Sequence, residues 1–166
     1  MKKFILLIII VFSLLHAKAQ SYNLHPLYIY SFTRYVQWPE AYNTGDFEIT
    51  VFGESPITDE LNKMAQVKKV GERAIKVNKI TALDAFKKCN ILFVSAKKST
   101  QLNDVLAKVN GQSTLVITEE PGLGAKGSNI NFIIKDGKLA FELNQSAFVK
   151  QNLKVSTELT RLAILI

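Results

Sequence analysis

Three glycines, Gly122, Gly124 and Gly127, have the GxGxxG spacing that lets a backbone approach a pyrophosphate closely. Glu142 follows Gly122 by twenty residues, where dinucleotide-binding folds keep an acid for the ribose. The chemistry on offer is nucleotide binding, and it depends on context. The glycines must follow a strand and open a helix whose free N–H groups hold the phosphate. Here Pro121 interrupts the approach, and the segment after Gly127 reads as a strand, Ile130 to Lys135. Without its helix the motif reads as a flexible turn between strands, not a dinucleotide site.

Other constellations are thinner still. Beyond residue 19 the chain has one histidine, His25, and one cysteine, Cys89. A His/Cys zinc site lacks ligands, and a Ser-His-Asp triad would have to draw on His25, read as a surface or helix-end residue. Cys89 has no intrachain partner and precedes the apolar run Ile91-Leu92-Phe93-Val94, so a buried, inert thiol is expected. The expectation is a protein that is not an enzyme, with no catalytic residues, metal or cofactor.

The elements around these residues are legible from their periodicity. Asp136-Gly137 separates two strand-like runs and suits a type I′ hairpin, where both central residues take positive φ. That turn sets the register. Ile134 faces Leu139, Phe132 faces Phe141 and Ile130 faces Leu143 on the core side, with Ile133 opposite Ala140 and Asn131 opposite Glu142 behind.

Upstream, Leu24, Tyr28, Phe32 and Tyr35 recur at helical spacing until Pro39, with Trp38 read as core. Strands are expected at 47–53, at 74–80 towards an edge, at 91–95 in the sheet centre, and at 115–118. Helices are expected at 58–65, from a Thr81 cap through Phe86, and at 100–109. Two more follow: from an Asn144 cap through Gln151, and from a Ser156 cap with Leu159, Leu162, Ala163 and Ile166 as its packing face. Alternating strands and helices imply an α/β fold: a mainly parallel sheet with helices on both faces, extended by the antiparallel C-terminal hairpin. It is a three-layer, Rossmann-like arrangement without a dinucleotide site.

Residues 1–19 read as a signal peptide: Lys2-Lys3, an apolar run from Phe4 to Leu15, then Ala17-Lys18-Ala19. That run is short for a membrane span. Residues 20–166 suit one exported domain. Loss of Lys2, Lys3 and Lys18 lowers the formal charge from +7 to +4. The remaining lysines are scattered in pairs, so a solvated surface is expected and no nucleic-acid partner.

Six stretches occur in a distinctive order: YIYSFTRYVQWP (Tyr28 to Pro39), FEITVFGESP, NILFVSA, TEEPGLGAKGSNINF, LAFELN and STELTRLAILI. Together, across essentially the whole chain beyond the signal, they resemble the YfiR family of exported proteins. The resemblance implies a non-enzymatic periplasmic regulator. Its best-known member restrains a membrane-anchored diguanylate cyclase through the cyclase's periplasmic domain, in the control of biofilms. Better-known members also carry redox-coupled disulfides, and Cys89 alone excludes an intrachain version here.

A binding site is expected beyond the carboxyl ends of the parallel strands. Its candidate residues are Gly53, Glu54, Ser55, Ser95, Thr118, Glu119, Gly122 and Gly124. Arg34, Asn131, Glu142 and Arg161 are expected to form a structural polar network around the Glu142 carboxylate. The expected partners are the periplasmic domain of a membrane sensor, a second copy in a homodimer, and a small-molecule effector. The alternative function is a periplasmic small-molecule binding module feeding a sensor histidine kinase.

Overall fold

The computed structural model of the protein describes residues 22–166, and the expected signal peptide lies outside the described residues. Helix α1 (His25–Tyr35) carries Pro26 in its first turn, where a missing N–H removes no helical bond, and runs into β1 (Val36–Gln37). There follow β2 (Phe47–Phe52), α2 (Ile57–Val67), β3 (Lys69–Val70), β4 (Arg73–Ile80), β5 (Ile91–Val94) and α3 (Leu102–Lys108). The chain continues through β6 (Leu115–Thr118), β7 (Ile130–Lys135), β8 (Lys138–Leu143) and α4 (Gln145–Lys150). It ends with β9 (Lys154–Val155), α5 (Thr157–Leu162) and β10 (Ile164–Leu165).

Eight strands form one sheet in the order β10-β8-β7-β6-β5-β2-β4-β3. Strands β4, β2, β5, β6 and β7 run parallel, and β8 closes back antiparallel to β7. Asp136 and Gly137 take φ of 50° and 72° at the hairpin, and the pairs Ile130–Leu143, Phe132–Phe141 and Ile134–Leu139 stand in the expected register. Short β1 and β9 make a separate antiparallel ribbon.

The sheet buries both faces at its centre, which is why β5 and β6 are continuous apolar runs. Ile29 and Phe32 of α1, Ile57 and Leu61 of α2, Phe148 of α4 and Leu159 of α5 pack on one face. On the other, Leu102 and Val105 of α3 cover Phe52, Leu92, Val94 and Val116. This is the mainly parallel sheet with helices on both faces. Trp38 belongs to the first core: its ring meets Phe47 edge-on at 5.2 Å, and its Nε1 donates to Asn90 O at 3.2 Å.

Several local expectations are corrected. Thr81 caps nothing; the segment after β4 makes only a 3-10 turn at Leu83–Ala85 behind Ala82. Helix α5 does start at a Ser156 cap, with Leu159 N–H donating to Ser156 Oγ, but it stops at Leu162. The last residues join the sheet edge instead, pairing Ile164 with Glu142, and Leu162 is left exposed. An open strand edge pairs backbone N–H and C=O groups that the last turn of a helix would leave without partners. At the hairpin tip, beyond the reach of the helices, Ile134 is 62% exposed although its register places it on the core side.

Candidate functional site

The sheet order reverses beside β2. From β2 the chain crosses through α2 to β4 on one side, and β5, β6 and β7 then add on the other. Carboxyl ends of the parallel strands open a crevice at such a reversal. Gly53, Ser95 and Glu119 follow β2, β5 and β6 there.

Gly53 has φ +93°, and a Cβ at that position would collide with Ser95 Oγ and lie 2.6 Å from Lys98 Cγ. Only glycine lets these segments meet. Ser95 Oγ is fully buried and has no hydrogen-bond partner among the described residues. The Lys98 ammonium lies 5.0 Å from the centre of the Phe52 ring. The crevice is thus closed by the protein's own side chains where a ligand would enter.

Glu119 completes the closure. Ala96 N–H, at the start of the 3-10 turn Ala96–Gln101 that leads into α3, donates to Glu119 Oε1 at 2.9 Å. Tyr22 OH donates to Glu119 Oε2 at 3.0 Å. Burial raises the Glu119 carboxyl above its usual range, and the Ala96 and Tyr22 bonds pull back against it. Burial, and then the Glu119 charge, push the Tyr22 phenol up to about 12. An internal carboxylate occupies the N–H that an anionic ligand would use.

Beside Glu119 lies an open cleft of about 270 Å³ lined by Tyr22, His25, Glu120, Phe132, Ile134 and Leu139. His25 is buried, not on the surface: its ring stacks on Tyr22 at 5.1 Å and meets the edge of Phe132 at 4.5 Å. The cleft therefore offers aromatic walls and two carboxylates. Tyr22, His25 and Phe132 carried no linear signal of this role, because they come from segments more than a hundred residues apart.

Ser55 stays at the site: its Oγ accepts from Ile57 N–H at the start of α2, and its side chain also hydrogen-bonds the Tyr22 hydroxyl that holds Glu119. The other expected site residues disperse. Glu54 is exposed and pairs with Lys79 at 3.0 Å. Gly122 has φ +78°, and a Cβ there would meet nothing within 4 Å, as suits a plain turn. Gly124 is buried: a Cβ would lie 2.6 Å from Ile166 Cδ1 and 2.7 Å from Glu142 Oε2. The glycine loop is therefore packed down over the hairpin and is not a free turn, and β7 follows it where a nucleotide site would need a helix.

Thr118 belongs to a buried polar chain, not to the crevice. Its Oγ1 donates to Asn131 Oδ1 at 2.7 Å and stands 2.8 Å from Ser128 Oγ. Asn131 Nδ2 in turn donates to Glu142 Oε2 at 2.9 Å. The expected arginines are absent from this network. Arg34 lies over the Tyr30 ring on α1, Arg161 is exposed in the last turn of α5, and Glu142 makes no ion pair among the described residues. The reason is geometric: α1 and α5 pack on the Phe132–Phe141 face of the hairpin, whereas Asn131 and Glu142 alternate to the other.

No characterised protein matches the chain significantly. The family profile described as YfiR/HmsC-like matches residues 22–164, from just before α1 to the first residue of β10. With all of the sheet except Leu165 inside that match, the chain belongs to the YfiR/HmsC-like family.

Proposed function

We propose that the protein is an exported periplasmic regulator that restrains a membrane-anchored sensor enzyme of the diguanylate cyclase type, by contact with the sensor's periplasmic domain. The observation that carries this reading is the family match over residues 22–164. Two further features accord with it. No described helix is long and apolar enough to cross a membrane, and the crevice where α/β enzymes hold phosphates is closed by Glu119 and Lys98. The protein acts in this reading as a homodimer, which sedimentation of the exported form tests.

Affinity capture from cross-linked membranes tests the contact. Recovery of one membrane sensor with a periplasmic domain is expected, together with a rise in cyclic-di-GMP when the protein is removed. Folded, exported protein that captures no sensor would sink the proposal.

A second reading is favoured by the cleft beside Glu119, whose aromatic and acidic lining suits a small effector that is neutral or cationic. In this reading the protein is a ligand-binding module that reports to a sensor histidine kinase. An effector that binds the native state raises the melting temperature, and replacing Phe132 by Ala should abolish that rise.

A further inference from the structure

Strand β4 lies near the end of the sheet opposite the hairpin, and its outer edge is mostly open. Strand β3 pairs only with Arg73 and Ala74, so from Ile75 to Ile80 that edge has no strand partner among the described residues. Unpaired backbone groups along an edge are a template for another strand. On the sheet face away from α2, next to this edge, Glu48 and Thr50 of β2 stand in register with Lys76 and Asn78 of β4. They floor a groove of about 330 Å³ whose far wall is the segment Ala85 to Lys88.

Lys76, Lys79, Lys87 and Lys88 line this groove together with the carboxylate of Glu48, and Lys79 is already paired with Glu54 at 3.0 Å, which leaves Lys76, Lys87 and Lys88 against Glu48. Glu48 is itself engaged, since its Oε2 accepts from Asn78 Nδ2, and Lys76 Nζ reaches only to 3.8 Å from its Oε1. Lys88 lies over the Tyr42 ring at 3.8 Å, and Lys87 makes no ion pair among the described residues. Positive charge therefore exceeds what the fold neutralises.

The same features choose the occupant. A second copy meeting edge to edge would set Lys76 and Lys79 against their own kind, and edge lysines repel such pairing. A bilayer is a poor fit to a concave groove with a polar floor, and none of the large exposed apolar side chains lies in it. An extended acidic segment fits both halves: its backbone completes the edge and its alternate carboxylates meet the lysines.

We propose that the groove beside β4 docks an extended acidic segment of a partner protein, which adds a strand to the free edge from Ile75 to Ile80 and places its carboxylates among Lys76, Lys87 and Lys88. The identity of the partner rests on the regulator reading above; the contact itself does not.

The test uses the purified protein and a fluorescent peptide of alternating Glu and Val, followed by anisotropy at low salt. Three controls accompany it: the same peptide with Lys for Glu, one with alternate backbone nitrogens methylated, and citrate or inorganic phosphate as competitors. The acidic peptide is expected to bind. Backbone methylation, or the triple change Lys76→Glu, Lys87→Glu and Lys88→Glu, should weaken binding about tenfold or more, roughly 1.4 kcal/mol. Lys87→Glu alone, at an exposed position, supplies the comparison should the triple variant not fold.

Equal binding of the basic peptide, no loss on methylation, or complete displacement by citrate or phosphate at matched charge would each overturn strand docking. Self-association that Lys76→Glu abolishes would also overturn it, in favour of a second copy. Membrane capture separates the two proposals. A sensor recovered equally by the wild type and the charge-reversed protein sinks the groove and spares the regulator reading. Peptide binding as expected, with no sensor recovered by either, does the reverse.

Discussion

Glu119 shows how one buried acid can be held between opposing effects. Burial raises its pKa, while Ala96 N–H and Tyr22 OH lower it, and the raised value shows that burial wins. A raised folded-state pKa means that the native protein binds the proton more tightly than the unfolded chain. The associated stability is complete below the ordinary carboxylate pKa and is lost as pH rises through the folded value. Relative to Glu119→Gln, the wild type should therefore gain melting temperature as pH falls from about 7 to about 4. Parallel melting curves across that range would show that the two donors cancel the burial. Asn131, Thr118 and Glu142 are the contrasting case, in which buried polar atoms satisfy one another. The Asn131–Glu142 pairing was legible, because the Asp136-Gly137 turn sets the register. Its link to Thr118 was not, because that depends on which strand lies next to β7.

At the scale of elements, the glycines divide by what surrounds them. Gly122→Ala should cost about 1–2 kcal/mol, the backbone penalty of a left-handed residue in open space. Gly53→Ala should cost clearly more, because the added methyl also collides with Ser95 and the Lys98 stem. Urea melts of the two variants measure the difference, and equal losses would mean that the 95–98 segment yields freely. Helix and strand positions were mostly readable, since β5 and β6 are too apolar for anything but a sheet centre and Asn144 and Ser156 are competent caps. The end of α5 was not readable. Leu162, Ala163 and Ile166 keep helical spacing, yet a neighbouring strand edge draws Ile164 and Leu165 into the sheet.

Over the whole molecule, two cores on opposite faces of one sheet provide the stability. Trp38 couples the ribbon after α1 to the first core, so Trp38→Ala should lower stability by about 3–5 kcal/mol in a urea melt. Cys89 reports on the second core. It is buried, and burial pushes its thiol up to about 12. Alkylation near neutral pH should therefore proceed only through opening of that core, with a rate that follows global unfolding as urea is added. Rapid alkylation of the native protein would place the sulfur in a locally opening segment.

The sequence by itself determined the fold class, the hairpin register, the burial of Trp38 and Cys89, and the failure of the glycine motif as a nucleotide site. Each of these follows from local periodicity, turn chemistry, or the kind of element a motif must adjoin. Tertiary structure decided what the sheet's carboxyl end contains. It set Glu119 on Ala96 N–H, packed Gly124 against Glu142, buried His25 beneath Tyr22, and left Arg34 and Arg161 away from the network expected of them. It also decided which strand edge stays open. These outcomes depend on strand order and on which face each helix covers, and both are settled by competition among distant segments for the same apolar surface.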